Sequence, residues 1–276
     1  MGFSKLAWVE GKKLFSQREL YIALFLCTLL FVMNVNALPD SPQSVVFWQE
    51  MASVMPYFGY MMIAIIVVVG VSRCMPFERE QEMEEVLVTY KGGRVQLLAV
   101  KQFVLFFFCV SIVLFYYGIA SIVLLAYASP TGLFTQMGES APNYLSPNPN
   151  WTFAKLMLLE GGYMVVASYI FALFVFLLSL FIKRSVFIML TAGGIFALGE
   201  LYEKYIFYYI QTMSGIDYLV YGYTYGLNGI MSFGYLERYV VFSNREVLLL
   251  FLCLAAGLFV VNLLLGRRRI RVALGN

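Results

Sequence analysis

The sequence predicts an all-α polytopic membrane protein with six transmembrane helices. Three observations carry this prediction: the composition, a series of long apolar runs, and the placement of the basic residues. The 276 residues are 61% hydrophobic and only 13% charged, whereas ordinary soluble domains carry about 25% charged residues. The chain contains no histidine, the commonest general base and the commonest metal ligand. We therefore expect a membrane protein that is not an enzyme.

The apolar runs set the number of spans. A transmembrane helix needs about 20 apolar residues to cross the hydrocarbon core of a bilayer. Six runs approach this length, and one of them, the third, is long enough to tilt or to project beyond the lipid. The predicted spans are Leu20 to Leu38, Val54 to Ser72, Leu97 to Ala128, Gly161 to Ile182, Ser185 to Gly199 and Val247 to Gly266.

The basic residues predict the orientation. Of the 19 lysines and arginines, 15 fall before the first span, after the second, at Lys101 just inside the third, after the fourth or after the sixth. These segments lie on one side of a six-span topology, and the remaining four basic residues lie on the other. Cytoplasmic loops carry an excess of Lys and Arg. Both termini are therefore expected in the cytoplasm.

The predicted outer segments contain few basic residues and differ from one another. Residues 128–151 hold four of the eight prolines, which is typical of an irregular loop. Residues 200–245 are rich in Tyr and Gly, and aromatic side chains with a polar tip favour the membrane interface. We expect short helices in the outer leaflet there. With no repeat or low-complexity tract visible, residues 1–276 are predicted to form one transmembrane domain.

Cysteine spacing gives no sign of a disulfide framework or a zinc site, because the four cysteines lie in or beside apolar runs without paired spacing. They are Cys27, Cys74, Cys109 and Cys253. The charge distribution gives no indication of nucleic-acid binding.

The leader, residues 1–19, has an amphipathic helical pattern. Phe3, Leu6, Ala7 and Leu14 share one face, and basic residues lie opposite. A basic amphipathic helix of this kind lies in the plane of the membrane surface with its apolar face toward the lipid. A simple membrane anchor is the alternative interpretation.

Residues 76–94, between the second and third spans, also have a two-faced pattern. At helical spacing, Met83, Val86, Leu87 and Tyr90 line one side, and a row of glutamates covers the other. The acidic amino end and the basic carboxyl end both suit the helix dipole. Carboxylates are repelled by anionic headgroups, so a protein groove is a better partner for this helix than the lipid surface. The alternative is a connector that packs only on its own helices.

The same segment resembles the cytoplasmic loop between helices two and three in permeases of the type-2 ABC transporter family, which share the G-type ABC exporter fold. The resemblance lies in Glu78-Arg79-Glu80, in the run from Glu85 to Thr89, in Gly93-Arg94 and in Lys101, which opens the next span. Glu82-Met83 stands where the family has Gly-Thr, and Tyr90 where it has Pro. With six spans and an amphipathic leader, the resemblance covers nearly the whole chain. It implies a place in the inner or plasma membrane of a bacterial cell.

The resemblance implies roles for both amphipathic segments. Residues 76–94 become a coupling helix seated in a separate ATP-binding subunit, and the leader becomes a connecting helix beside it. Two permeases, either two copies or a copy and a paralogue, and two ATPases form the transporter. This chain has no P-loop motif, so ATP and Mg²⁺ are expected on the partner ATPase, with no cofactor bound by this chain. The residues expected at the ATPase contact are Glu78, Arg79, Glu80, Met83, Glu85, Val86, Leu87, Tyr90 and Arg94.

The resemblance also implies a substrate path between helices two and five of the two permeases. Methionine and aromatic walls adapt to varied apolar ligands, although the same residues at helical spacing also serve ordinary packing. The residues expected along the path are Tyr57, Tyr60, Met61, Met62, Thr191, Phe196 and Glu200. Glu160 is expected near the outer boundary of the membrane.

The expected function is ATP-driven export of an amphipathic or hydrophobic substrate: a peptide antibiotic or bacteriocin, a drug or a lipid. Family analogy favours the antimicrobial peptide. A secondary transporter or channel is an alternative with the same hydropathy. Such proteins are expected to carry paired intramembrane charges or broken-helix repeats, and the sequence shows neither pattern. A non-transporting membrane subunit of a sensory or immunity complex is a further alternative.

Overall fold

A computed structural model describes residues 3–36, 47–76, 93–126, 128–134, 136, 151–201 and 244–274. Over these ranges the chain is all-helical, apart from one isolated bridge between Gln136 and Thr152. The eight α-helices that the ranges contain are α1 (Phe3–Phe15), α2 (Arg18–Asn36), α3 (Phe47–Val54), α4 (Tyr60–Ser72), α5 (Gly93–Leu124), α6 (Phe153–Phe181), α7 (Ser185–Leu201) and α8 (Asn244–Leu274).

Four of these helices are long and apolar enough to cross a membrane, so the protein is membrane-embedded. The candidate spans are Arg18–Val35 in α2, Val95–Leu124 in α5, Phe153–Phe181 in α6 and Leu249–Arg268 in α8. They correspond to the first, third, fourth and sixth predicted spans. The second and fifth predicted spans correspond to the shorter apolar helices Tyr60–Ser72 and Ser185–Leu198.

The second predicted span is short as a single α-helix because its helical path changes pitch. A π-helical segment, Met55–Gly59, follows α3 directly and leads into α4, and the residues at both of its ends keep right-handed helical dihedrals. Pro56 lies at the start of the π segment, where its missing N–H removes one bond from the regular hydrogen-bond ladder. The backbone is therefore helical from Phe47 to Ser72, with one interruption in its pitch.

The fourth predicted span begins earlier than its hydropathy indicates. The sequence predicts a start at Gly161, whereas α6 begins at Phe153, where Thr152 caps the helix by accepting a hydrogen bond from the Lys155 amide. A threonine side chain satisfies one of the free amides at a helix start. Glu160 interrupts the hydropathy of the run but leaves its helix intact.

Helix α6 lies at the centre of the bundle and packs against α3, α4, α5, α7 and α8. Helix α1 packs on α5 through two aromatic pairs. The ring centroids of Phe3 and Phe103 are 5.5 Å apart, and those of Phe15 and Phe108 are 5.7 Å apart. The apolar faces of α2, α7 and α8 include many exposed side chains, as expected of helices that meet lipid. Examples are Phe25, Leu26, Met33, Val186, Leu190, Leu249 and Leu264.

A polar contact joins three helices within this apolar bundle. The amide nitrogen of Asn262 on α8 donates to the Gln102 side-chain oxygen on α5 at 3.3 Å and to the Leu173 carbonyl on α6 at 3.1 Å. Both amide side chains are fully buried. Hydrogen bonds between membrane helices add a modest free energy, about 0.6 kcal/mol on average, and they also set the rotation of each helix against its neighbours.

Candidate functional site

The predicted coupling helix lies almost entirely outside the described residues. Of the residues expected at the ATPase contact, only Arg94 falls within them, in the first turn of α5. The positions outside are Glu78, Arg79, Glu80, Met83, Glu85, Val86, Leu87 and Tyr90. The structure does describe both flanks of this segment: α4 ends at Ser72, a turn follows to Pro76, and α5 begins at Gly93.

A buried ion pair lies beside these flanks. The Lys101 ammonium on α5 is 2.7 Å from a carboxylate oxygen of Glu10 on α1. It also donates a hydrogen bond of 3.1 Å to the Cys74 carbonyl, just past the end of α4. Only 4% of Lys101 and 6% of Glu10 are exposed. One ammonium group therefore links the leader helix to both elements that border residues 77–92.

Glu10 has a second cationic partner within its own helix. The Lys13 ammonium lies 2.7 Å from the other carboxylate oxygen, one turn along α1. Burial by itself raises the pKa of Glu10, but the charge and hydrogen bond of Lys101, reinforced by Lys13, lower it overall. The carboxylate is therefore held in its ionised form at neutral pH, and its two oxygens have different partners.

The energetics of this pair favour a fixed contact between α1, α5 and the end of α4. We call this contact the Lys101 joint; it consists of Glu10, Lys101 and the Cys74 carbonyl. Two charges removed from water repay their desolvation only when their geometry is good and their remaining hydrogen-bonding capacity is used. Here the ammonium has two acceptors and the carboxylate has two donors. Removal of one partner from a buried pair typically costs about 3–5 kcal/mol, because the other charge stays buried without compensation. A movement of the α4–α5 flanks relative to α1 therefore carries a large energetic penalty.

A shell of partly exposed polar contacts surrounds the buried pair. The Gln17 side chain, between α1 and α2, donates to the Gly70 carbonyl on α4 at 3.3 Å. Arg73 forms an ion pair with Glu19, at the start of α2, at 2.5 Å. Together with the buried pair, these contacts border a cavity of about 210 Å³ where α1, α2, α4 and α5 meet.

The structure brings two of the predicted path residues into contact. The ring centroids of Tyr60 on α4 and Phe196 on α7 lie 6.3 Å apart, and the ring centroid of Phe171 on α6 lies 5.6 Å from that of Phe196. Tyr60 and Phe196 are buried within the protomer, so in this conformation they form packing contacts between α4 and α7.

The other predicted path residues have varied surroundings. Met62 is buried and Met61 is half-buried on α4. Thr191 is exposed on α7, and its hydroxyl donates to the Phe187 carbonyl one turn earlier, at 2.7 Å. Tyr57 lies in the π segment and Glu200 in the last turn of α7, and their side chains are outside the described part of the structure.

Glu160, which the sequence predicts near the outer boundary of the membrane, is enclosed by the protein. It lies two turns into α6 and is fully buried. The ring of Tyr117 packs 3.7 Å from the position that a Cβ would take on the following residue, Gly161. An ionisable side chain inside a membrane bundle marks a candidate functional position.

Sequence reasoning did not identify Glu10 as a partner of Lys101. Two signals for the pair were present: Glu10 is the single acidic residue of α1, and Lys101 is the single charged residue of the span Val95–Leu124. A lone charge inside an apolar run needs a partner, but the sequence does not show which residue supplies it across 91 positions. Within the described ranges, no group of three potential metal ligands is present.

Comparison with known proteins does not assign a family. The chain matches no protein-family model, and no curated protein matches it significantly.

Proposed function

We propose that this chain is the transmembrane permease subunit of an ATP-driven exporter of the type-2 ABC transporter family. In this proposal, α3 with α4 and α7 complete the six spans, both termini face the cytoplasm of a bacterial cell, and residues 76–94 form the coupling helix. Two ATPase subunits supply ATP and Mg²⁺, and a second permease copy or paralogue completes the path. The cargo is amphipathic or hydrophobic, a peptide antibiotic, a drug or a lipid.

The observation that best supports this proposal is the joint centred on Lys101. An ATPase that pulls on residues 77–92 acts on two flanks, the end of α4 and the start of α5. Lys101 bonds both to the carbonyl after α4 and to Glu10 on α1. A force applied to the flanks is therefore shared with the leader helix, and the three elements move together. Movement of packed helices as one rigid body is a common basis of conformational switching.

The contact between Tyr60 and Phe196 is consistent with a path that is closed in this conformation. In the proposed cycle, closure of the ATPases draws the two coupling helices together. The helices tilt, and α4 and α7 of the two permeases separate toward the outside. ATP hydrolysis then resets them.

The test is whether the tagged chain, extracted in detergent from its own cells, co-purifies with an ATPase, followed by measurement of ATPase activity and export. The charge-reversal variant Glu80→Lys/Glu85→Lys should lose the ATPase and export while it still inserts and folds. The control is Arg184→Glu, a reversal at an exposed residue between α6 and α7, which should retain both. The permease assignment fails if no ATPase co-purifies with the wild-type chain, or if the glutamate reversals leave assembly and export intact.

A further inference from the structure

The cavity beside the Lys101 joint has an excess of positive charge. Four basic and two acidic side chains border it: Lys13, Arg18, Arg73, Lys101, Glu10 and Glu19. The acidic groups have partners within this set, since Glu10 contacts Lys101 and Lys13, and Glu19 contacts Arg73. Two positive charges therefore exceed what the carboxylates of the cavity can neutralise.

Arg18 is the cation of this set that is available to a ligand. It is the first residue of α2, its side chain is exposed, and it makes no ion pair with any residue of the described ranges. It lies where α1 gives way to the spanning helix α2. A guanidinium group at this level of a membrane protein reaches the headgroup region, where it can bind a phosphate through two parallel hydrogen bonds.

An apolar stripe runs down α2 directly from Arg18. Ile22, Phe25 and Leu29 follow it at i+4, i+7 and i+11, so all four residues share one helix face. Their side chains are 61%, 68% and 46% exposed. On a membrane-spanning helix, such an apolar surface is covered by lipid or by protein and not by water. A cation at the head of an exposed apolar stripe matches the two ends of a phospholipid.

We propose that this cavity binds the phosphate headgroup of an anionic phospholipid at Arg18, with an acyl chain along Ile22, Phe25 and Leu29. The positive excess selects anionic over zwitterionic headgroups, since basic pockets between membrane helices attract anionic lipids. The stripe favours a lipid over a soluble phosphate, which has no apolar part to place there. This inference depends on the membrane embedding of the chain and does not depend on its transport function.

The experiment is native mass spectrometry of the full-length protein, released from nanodiscs that contain phosphatidylglycerol and phosphatidylcholine in equal amounts. Wild type should retain phosphatidylglycerol in preference to phosphatidylcholine. Arg18→Gln should lose about fivefold in phosphatidylglycerol affinity, the change that corresponds to one surface cation. Its loss in phosphatidylcholine affinity should be smaller, because the choline group already neutralises that phosphate. The matched control is Arg184→Gln, which removes another exposed arginine, at the turn between α6 and α7, and should leave both lipids unchanged.

Three results would overturn the assignment. Equal losses in Arg18→Gln and Arg184→Gln would indicate a general surface-charge effect. Displacement of phosphatidylglycerol by millimolar inorganic phosphate would assign the cavity to a soluble anion. A wild-type dimer that retains no phosphatidylglycerol, and that dissociates in Arg18→Gln, would assign the stripe to a second copy of the chain. The mass spectra report oligomeric state and bound lipid together, so the outcomes are distinguished in one measurement.

Discussion

Replacement of Lys101 by methionine is the most direct test of the buried joint. The variant Lys101→Met keeps most of the side-chain volume on α5 but leaves the Glu10 carboxylate buried with only Lys13 as a partner. It also removes the donor from the Cys74 carbonyl. Loss of one partner of a buried ion pair costs about 3–5 kcal/mol. For a chain of this size, that cost lowers the melting temperature by roughly 6–20 °C.

The control for this prediction is Lys183→Met, which removes an exposed lysine at the turn between α6 and α7. Exposed charges contribute about 0–1 kcal/mol, so its melting temperature should stay within a few degrees of wild type. In the assay, the protein is heated in detergent, and thermal unfolding is measured as the decrease in the fraction that still elutes as a monodisperse peak. Both variants are compared at pH 7, where Glu10 is ionised.

The double variant Glu10→Leu/Lys101→Met separates the pair from general packing. Replacement of both charges by apolar groups leaves no buried charge without a partner, and such replacements are often neutral or stabilising. The double variant should therefore recover most of the loss in Lys101→Met. If the losses of Glu10→Leu and Lys101→Met simply add in the double variant, the two side chains do not interact, and the reasoning about the joint is wrong.

Two further predictions concern helix packing and pH. A Cβ on Gly266 would lie 2.6 Å from the buried side chain of Leu98 on α5, whereas nothing lies within 4 Å of a Cβ on Gly257. Gly266→Ala should therefore lower the free energy of unfolding by about 1–3 kcal/mol, and Gly257→Ala is the control on α8. Equal melting temperatures of the two variants would contradict the close approach. Because the pKa of Glu10 is lowered from its ordinary value of 4.5, its contribution to stability is complete above about pH 4.5 and is lost as the pH falls through the folded-state pKa. Melting temperatures measured from pH 7 to pH 3 should fall less in Glu10→Gln than in wild type, and parallel curves would show that this carboxylate is not the group that titrates.

The helical class and four spans of this protein could be predicted from local pattern alone. A long apolar run determines a membrane helix almost without regard to its neighbours, because backbone groups in lipid must be hydrogen-bonded within the segment. The boundaries were less predictable. Helix α6 begins at Phe153, eight residues before the predicted start of the span at Gly161. This start depends on the Thr152 cap, and hydropathy alone gives little weight to a cap.

The joint could not be predicted because its partners are distant in sequence. Lys101 was recognised as a cation inside a span, but Glu10 belongs to a leader whose pattern indicates a basic amphipathic helix. The apolar face of that leader was expected to meet lipid. In the structure α1 packs on α5, and its most buried residues are Glu10 and Leu14. The pairing of Glu10 with Lys101 places a carboxylate within that interface, and the local periodicity of the leader does not predict such a long-range contact.

The charges at this end of the bundle fall into two groups with different physical properties. Glu10 and Lys101 are shielded from water, so their attraction is little affected by salt and holds α1 against α5 in one geometry. Arg18 and the Arg73–Glu19 pair are partly or fully exposed, so salt screens them and they exchange partners at low cost. A joint that transmits force needs the first property, and a surface that exchanges lipids needs the second. The two groups border one cavity, so a bound anionic lipid would lie within reach of the elements that the joint connects.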